Sequence, residues 1–479
     1  MGLTETLADY FDLHRYDTTV RTELLAGLTT FLTMSYIVVV NPAILADAIL
    51  SDGGIEGVGE GQLIAMLAVV TIVSAAVATL IMALYADRPF AQAPGLGLNA
   101  FFAYTVVIGM GVHWTTALAA VVVEGILFMA LTAAGAREYV IGLFPEPVKL
   151  AVGSGIGLFL ALIGFESMRV VAGDAATFVT FSPVFAEDPI ALISVAGLLV
   201  TFGLYARGVR GSIVIGILGT TVVGYLAAAL GYTAYNPENV PGDAAIATDV
   251  FLTGSTTTYS LAAYDIRPLA GAFLGGFGNV DAFTFALIVF TFFFVDFFDT
   301  AGTLVGVGQA AGFLDEDGNL PDIDRPLMAD AVGTTVGGML GTSTVTTYIE
   351  SASGVEEGGR TGLTALTVAV LFLCSLVFVP LAAAIPEYAS HIALVVIGVV
   401  MLGNAVAVAW DDLTYAIPAG LTIMVMPFTF SIAYGIAAGI LSYPIVKLAA
   451  GRGEEIHTGQ WVLAGAVVVY FAVRTGGVM

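Results

Sequence analysis

Residues 62–86 read QLIAMLAVVTIVSAAVATLIMALYA and contain no charged side chain. As a helix that rises about 1.5 Å per residue, such a run can cross the roughly 30 Å hydrocarbon core of a bilayer. Similar runs begin near Arg21, Thr115, Val148, Pro189, Ser212, Phe283, Thr364, His391, Pro418 and Ser431, and the last lies around Trp461. Glycine-broken runs occupy residues 95–111 and 329–341. Because none shows the in/out alternation of barrel strands, the runs predict an all-α polytopic membrane protein with fourteen transmembrane segments.

The overall composition points to the same class. Of 479 residues, 58% are hydrophobic and 11% charged, and the mean hydropathy is +0.96, which excludes a soluble domain. The lone Cys374 excludes disulfides and thiolate metal sites. The net charge of −24 lies mostly in loops, for example at Asp47, Asp52, Glu56 and Glu60. So many acidic groups repel one another, and a high salt concentration screens that repulsion, so the charge indicates a halophilic-type acidic surface.

The distribution of basic residues predicts the orientation. The polar residues 1–20 have no signal-peptide pattern, so we expect the N-terminus to stay in the cytoplasm. The protein itself is expected in the cell membrane. With fourteen segments, only Arg169 and Arg267 fall on the outer side of the membrane, as the positive-inside rule favours. The side of Arg474 depends on whether the apolar residues 459–476 cross the membrane, which the sequence leaves open. The basic residues expected near cytoplasmic ends are Arg15, Arg21, Arg88, Arg137, Lys149, Arg207, Arg210, Arg325, Arg360, Lys447 and Arg452.

Two short patterns recur in the same order in the two halves of the chain. Pro145-Glu146 with Ile156-Gly157 matches Pro386-Glu387 with Ile397-Gly398, and the run at 212–217 matches the run at 431–436. Seven segments separate the copies, and an odd repeat must insert upside down. This predicts two inverted seven-segment repeats, with a substrate site near the membrane midplane where helices are interrupted.

Two interrupted segments stand at matching places. Residues 90–102 read FAQAPGLGLNAFF and residues 341–354 read GTSTVTTYIESASG. Both predict a short strand before a half-helix, in segments 3 and 10. Asn99 lies five residues after Pro94 and Glu350 five residues after Val345, so the two polar residues occupy equivalent places. Such small-residue stretches also occur as helix-packing surfaces. A carboxylate at mid-depth is costly in a bilayer, so Glu350 favours a functional site.

Residues 292–303, FFFVDFFDTAGT, form the third element. Asp296 and Asp299 are three residues apart and share a helical face with Thr300. A carboxylate in such a setting can bind and release a proton or attract a cation. We therefore expect Asp296, Asp299 and Glu350 to take part in coupling, with proton and sodium both open.

Several other polar residues are weaker candidates. Thr30 or Tyr36 of the first segment could reach a site. Glu124 and Glu166 are interpreted as packing partners or segment-end acids. His113 and His391 are interpreted as interface residues.

Four stretches together resemble one known family, the AzgA-like branch of nucleobase:cation symporters. These are residues 21–31, 93–102, 298–304 and 346–351, and the resemblance runs from about residue 21 to about 452. It implies core and gate domains that move as an elevator, and acids at Asp296 and Glu350 that meet the base, with Asn99 beside them. The expected divisions are an N-terminus 1–20, core 21–137 and 283–386, gate 138–231 and 387–452, an extracellular connection 232–282, and a tail 453–479.

The implied substrate is a purine nucleobase such as adenine, guanine or hypoxanthine. A carboxylate can accept ring N–H groups, aromatic rings can stack on the base, and backbone N–H groups of Asn99 and Ser351 would meet its acceptors. The expected substrate-binding residues are Asp296, Glu350, Asn99, Thr300, Ser351, Phe101, Thr30 and Tyr348. We expect no cofactor and no nucleic acid, only the base, the coupling ion and the lipid bilayer, and leave a homodimer open.

Three other protein classes also place acids inside membrane segments. An intramembrane protease needs aspartates on separate helices, whereas Asp296 and Asp299 share one, and no His-Glu-x-x-His motif occurs. A channel fits interrupted half-helices less well than a carrier does. A same-fold carrier of uracil, xanthine or another small polar solute remains the closest alternative.

Overall fold

The computed structural model describes residues 2–135, 143–174, 176–233, 250–254, 261–278, 281–315 and 320–475. Within these ranges ten helices are long and apolar enough to cross a membrane. They are Val20–Ser51, Glu60–Ala86, Trp114–Ala133, Glu146–Ser167, Pro189–Ala206, Ser212–Ala229, Ala282–Gln309, Gly362–Ala382, Glu387–Ala407 and Ile432–Ala449. Shorter apolar helices are Leu96–Gly109, Leu413–Thr429 and Thr458–Val469. The protein is therefore predominantly helical and multi-pass, as expected.

The individual elements have the following bounds. The α-helices are α1 Leu3–Tyr10, α2 Val20–Met34, α3 Ile37–Ser51, α4 Glu60–Ile81, α5 Leu96–Ala100, α6 Trp114–Ala133, α7 Glu146–Ser167, α8 Pro189–Ala206, α9 Ser212–Ala229, α10 Val250–Thr253, α11 Ala282–Ala311, α12 Asp324–Leu340, α13 Ser351–Glu356, α14 Gly362–Ser375, α15 Val379–Ala382, α16 Glu387–Ser390, α17 Ile392–Leu402, α18 Leu413–Thr429, α19 Ile432–Ala449 and α20 Thr458–Thr475. The strands are β1 Gln92–Pro94, β2 Val171–Asp174, β3 Phe178–Phe181 and β4 Val345–Thr347.

Two short buried strands each precede a short helix in the chain, as the sequence predicts. Strand β1 leads into α5 and β4 leads into α13, and the strands pair antiparallel with Pro94 opposite Val345. Every residue in both strands is buried. Backbone groups at membrane depth must be satisfied by protein, and here each interrupted segment provides the hydrogen-bond partner of the other.

A β-hairpin lies between α7 and α8, where the sequence analysis expected no strands, so that expectation was wrong. Strands β2 and β3 pair antiparallel between α7 and α8, with Val171 opposite Phe181. All four residues of β3 are β-branched or aromatic. At the end of β2, Asp174 Oδ1 accepts hydrogen bonds from the backbone N–H of Ala176 and Thr177. This is the ordinary sequence signal of a hairpin turn, and the helical count overlooked it.

The chain divides into two compact units. One comprises Met1–Met129 with Ile163–Val396, and the other Ala130–Leu162 with Ile397–Met479. All the candidate site residues lie in the first unit. Within the second unit, Gly157 and Gly398, which carry the matching repeat pattern, leave no room for a Cβ because each faces the other's carbonyl oxygen. The expected domain boundary at Arg137 lies outside the described residues, as do Gly142 and residues 234–249, 255–260 and 279–280 of the connection 232–282.

A buried carboxylate anchors the first segment to the eleventh. Glu23 of α2 is fully buried and accepts hydrogen bonds from the backbone N–H of Arg360 at 3.0 Å and of Thr361 at 3.3 Å. The hydroxyl of Thr364 on α14 donates a third bond at 2.6 Å. With three donors the carboxylate is well satisfied, so we interpret Glu23 as a structural residue.

Candidate functional site

Glu350 lies directly before α13 and is half-buried. The Tyr36 hydroxyl donates a hydrogen bond of 2.5 Å to its Oε1. Tyr36 lies in the break between α2 and α3. There the carbonyl oxygens of Ser35 and Tyr36 each accept a hydrogen bond from the backbone N–H three residues later in the chain. The tight turn holds the phenol over the carboxylate, and the weak candidate Tyr36 thereby becomes a member of the site.

Asp299 is the second carboxylate at this place. It is half-buried on α11, is hydrogen-bonded by the side chain of Thr346 in β4, and interacts electrostatically with Glu350 and with Tyr348. Tyr205 of α8 also lies within electrostatic range of Glu350 and exposes 47% of its surface. Two half-buried acids with phenols around them form a polar site.

Tyr348 and Ser351 fix α13 to the first interrupted segment. The Tyr348 hydroxyl donates to the Pro94 carbonyl at 2.5 Å, and the Ser351 hydroxyl accepts from the Ala91 N–H at 3.0 Å. Thr30 is fully buried, and a Cβ added to Gly354 would collide with its hydroxyl. Tyr348 and Ser351 therefore hold the start of α13 in place, whereas the buried Thr30 hydroxyl has no hydrogen-bond partner among the described residues.

The backbone donors expected from Asn99 and Ser351 are a wrong prediction. The N–H of Asn99 already donates to Gly95 O at 2.8 Å, and the N–H of Ser351 to Tyr348 O at 3.1 Å. Asn99 is the fourth residue of α5 and bonds back to the residue before that helix, and Ser351 is the first residue of α13 and closes the turn that precedes it. These two amides are not available to a ligand.

Asn99 and Phe101 occupy the other interrupted segment. The side-chain oxygen of Asn99 accepts a short hydrogen bond from Ser343, and its amide nitrogen has no partner among the described residues. Since β1 and β4 run antiparallel, the half-helices after them begin at opposite ends of the strand pair, and no hydrogen bond joins Asn99 to Glu350 in the described chain. Phe101 is 1% exposed and packs edge-on against Phe292 at 4.7 Å.

Asp296 faces a separate, fully buried group of acids. Its carboxyl and that of Glu124 on α6 meet at hydrogen-bonding range, and both residues are 0% exposed. Neither Glu124 oxygen has a hydrogen-bond donor among the described residues, and the same holds for Asp296 Oδ1. Asp296 Oδ2 is 3.4 Å from the Thr334 hydroxyl, which donates a shorter bond of 2.8 Å to Val345 O.

Asp330 of α12 is the third buried acid, and it is bonded very differently. Its Oδ1 accepts three hydrogen bonds of 3.0 Å, from Gln92 Nε2 and from the hydroxyls of Thr300 and Thr347. These three donors fix the Asp330 carboxyl in one orientation, and Thr300, an expected substrate contact, is directed to it. The other oxygen, Oδ2, has no hydrogen-bond partner among the described residues.

Sequence reasoning missed Asp330 altogether and interpreted Glu124 as a packing partner. A signal was present, because each is an acid within a long apolar helix, and such residues are functional candidates by default. The structure brings together Tyr36, Asp299, Tyr348 and Glu350 at one place and Glu124, Asp296 and Asp330 at another. The sequence alone could not separate Asp296 from Asp299, since three residues on a helix still leave a marked rotation between them.

Comparison with known proteins supports a carrier. The chain is 36% identical over 461 residues to the Escherichia coli adenine permease AdeQ, covering 96% of this chain and 94% of AdeQ. It is 38% identical over 453 residues to the Bacillus subtilis guanine/hypoxanthine permease PbuO, covering 93% and 96%. The transmembrane domain of the cyanobacterial bicarbonate transporter BicA shares the fold, with a TM-score of 0.55, 15% identity, and coverage of 88% of this chain and 97% of BicA.

The family assignment rests on most of the chain. The family model Xan_ur_permease, described as "Permease family", matches residues 21–438. This range contains every acid of both groups, both interrupted segments and eight of the ten long apolar helices in full. It also contains all but the first residue of Val20–Ser51, and it ends inside Ile432–Ala449. The chain is thus a multi-pass membrane transporter rather than an enzyme, and it belongs to the Xan_ur_permease family.

Proposed function

We propose that this protein transports purine nucleobases across the membrane together with a cation. The observation that carries the proposal is the pair of half-buried carboxylates, Glu350 and Asp299, beside the hydroxyl of Tyr36. Adenine and guanine/hypoxanthine permeases that align over more than nine-tenths of the chain support the substrate class. The family contains relatives named for other bases, so a uracil or xanthine carrier is the alternative.

The base is expected to bind with its N–H groups toward the carboxylates. Glu350 Oε1 is oriented by Tyr36, and the other oxygen can accept a ring or exocyclic N–H. Asp299 is proposed to accept a second N–H, whereas the family resemblance implied that Asp296 makes this contact. Tyr205 offers a partly exposed aromatic face on which a flat heterocycle can stack.

Coupling is assigned to the buried pair of Glu124 and Asp296. Two ionised carboxylates in contact without donors would repel strongly, so the pair is expected to hold one proton between its oxygens. Asp330 lies within electrostatic range of Asp296 and is a third acid beside the pair. The pair can therefore accept and release a proton as access to the site changes, which favours proton over sodium symport.

Transport is proposed to follow an elevator mechanism in the fourteen-segment inverted-repeat arrangement. Segments 1–4 and 8–11, residues 21–137 and 283–386, would form the moving core that carries Glu350. Residues 138–231 and 387–452 would form the gate, with the hinges near residues 142–147 and 382–388. The protein is proposed to lie in the cell membrane with its N-terminus in the cytoplasm. A homodimer is compatible with this arrangement.

Equilibrium binding to the purified protein tests the proposed substrate. Radiolabelled adenine, hypoxanthine and guanine are expected to bind and to compete with one another, while uracil and xanthine compete weakly. Glu350→Gln should reduce purine binding, because one acceptor is replaced by an amide donor that faces the ring N–H. Binding of uracil with no binding of the three purines would make the pyrimidine carrier the correct interpretation.

A further inference from the structure

Three ligand-type side chains outside the substrate site meet where α3 ends and α16 begins. Asp47 comes from α3, and Glu387 and His391 come from α16 and the residue after it. A ring nitrogen of His391 and one oxygen of each carboxylate lie within 4.8 Å of one another. More than 300 residues of chain separate the two parts, so the fold and not local sequence creates the cluster.

His391 is the residue that distinguishes this cluster from a surface patch of acids. It is 0% exposed, and its Nδ1 lies 2.9 Å from the Glu387 carbonyl oxygen, which as an acceptor fixes the proton on Nδ1. Nε2 has no hydrogen-bond partner among the described residues. A buried imidazole nitrogen with an unused lone pair loses its solvation, and a bound cation would restore it.

The two carboxylates complete a plausible coordination set. Asp47 is half-buried, and its Oδ2 accepts a hydrogen bond of 2.9 Å from the Tyr104 hydroxyl, which orients the group. Glu387 is exposed and free to adjust. No ion pair to Lys or Arg is found for either carboxylate in the described part of the chain. A cavity lined by Asp47, Glu387, Glu60 and Ser390 provides room for water beside the cluster.

We propose that Asp47, Glu387 and His391 bind a divalent transition-metal cation of the zinc type. One neutral imidazole nitrogen and two carboxylate oxygens suit Zn²⁺ and disfavour Ca²⁺ or Mg²⁺, which prefer oxygen alone. With metal–ligand bonds of about 2.0–2.1 Å the donor atoms must approach to roughly 3.3 Å. Rotation of the exposed Glu387 side chain allows this contraction, and water fills the fourth position.

Occupancy would also affect transport, a consequence that rests on the proposed function. Asp47 belongs to the proposed core, while Glu387 and His391 belong to the proposed gate. A single ion held by both would tie them together and is expected to slow uptake. Binding itself requires no assumption about transport, so the two ideas can fail separately.

The direct test is titration of the purified, metal-stripped full-length protein with Zn²⁺, followed by calorimetry, and with Co²⁺, followed by its visible absorption. The wild-type protein is expected to bind one ion per chain. His391→Ala and Glu387→Gln should each weaken binding at least 10-fold, and Tyr104→Phe by a smaller factor. Glu387→Gln changes an exposed side chain and should leave the fold intact, which covers the case in which His391→Ala fails to fold.

His113→Ala is the matched control. His113 Nε2 lies 3.6 Å from Asp52 Oδ2, but the side chain is 47% exposed, and no third ligand joins the pair among the described residues. This variant should bind Zn²⁺ like the wild type. Equal affinity of the wild type, His391→Ala and Glu387→Gln would overturn the proposed site, whatever the protein transports.

Discussion

The hydroxyl of Tyr36 lies 2.5 Å from Oε1 of Glu350 and donates a hydrogen bond to it, joining the break in the first segment to the start of the second half-helix. A hydrogen bond to a carboxylate contributes about 1.5–3 kcal/mol. Glu350 is therefore held in one orientation before any ligand arrives. Preorganisation of this kind favours binding because less conformational freedom is lost with the ligand.

The first prediction concerns this pair. Glu350→Gln should weaken purine binding by roughly 1.5–3 kcal/mol, about 10- to 150-fold, and Tyr36→Phe by about 1 kcal/mol, because the carboxylate remains but loses its orientation. Calorimetric titration of purified protein measures both. Tyr225→Phe is the control, since its hydroxyl bonds the Ala384 carbonyl outside the site. Unchanged affinity in folded Glu350→Gln would remove Glu350 from the site.

The second prediction separates coupling from binding. Glu124→Gln and Asp296→Asn should each abolish accumulation driven by a proton gradient while purine binding stays within a few-fold of wild type. Each amide keeps the shape of the side chain but cannot exchange the shared proton. Uptake into proteoliposomes under an imposed pH difference measures it.

Glu166→Gln serves as the control for that experiment, because Glu166 is also an acid of a long apolar helix, α7, but is exposed. It should accumulate substrate normally. Asp296→Asn and Glu124→Gln proteins that still concentrate purine would show that the pair does not couple transport, and Asp299 would become the leading candidate.

The third prediction concerns stability. Glu23→Gln replaces an acceptor of three hydrogen bonds with an amide whose nitrogen faces donors, so the folded state should lose about 1–3 kcal/mol. The thermal midpoint of the purified protein in detergent should fall, while purine affinity of the folded fraction stays the same. A midpoint equal to that of wild type would mean that Glu23 does not anchor α14.

The fourth prediction concerns movement of the core. Arg210, between α8 and α9, forms an ion pair with Glu357, which follows α13, so the two lie in the proposed gate and core. In a Cys374→Ala background, Arg210→Cys with Glu357→Cys should form a cross-link that arrests uptake, and a reductant should restore it. Each single substitution is the control. Full transport through a completed cross-link would exclude an elevator and favour local gating.

The sequence predicted the interrupted segments well because proline, paired glycines and β-branched runs have strong local preferences. Strands β1 and β4 stand at the residues expected, each before a short helix. The pairing between them could not be read from the sequence, since it joins residues about 250 positions apart and depends on both segments reaching the same depth. The inverted arrangement itself stays a prediction.

The roles of the acids were harder to predict, because they depend on which helix faces which. Asp296 and Asp299 look alike in the sequence, yet one is fully buried against Glu124 and the other is half-buried near Glu350. Asp330 and Glu124 are recognised as site residues only from their neighbours on other elements of the fold. The amides of Asn99 and Ser351 were misjudged because hydrogen bonds within a turn depend on where the helix begins, which sequence patterns locate poorly.

Uptake of radiolabelled adenine, hypoxanthine, guanine and uracil into proteoliposomes, under an imposed proton or sodium gradient, tests the central claim most directly. We predict concentrative uptake of at least one purine, driven by an inward proton gradient, abolished by a protonophore and lost in Glu350→Gln. Concentrative uptake of uracil without any purine, or purine uptake that ignores both gradients, would contradict the account.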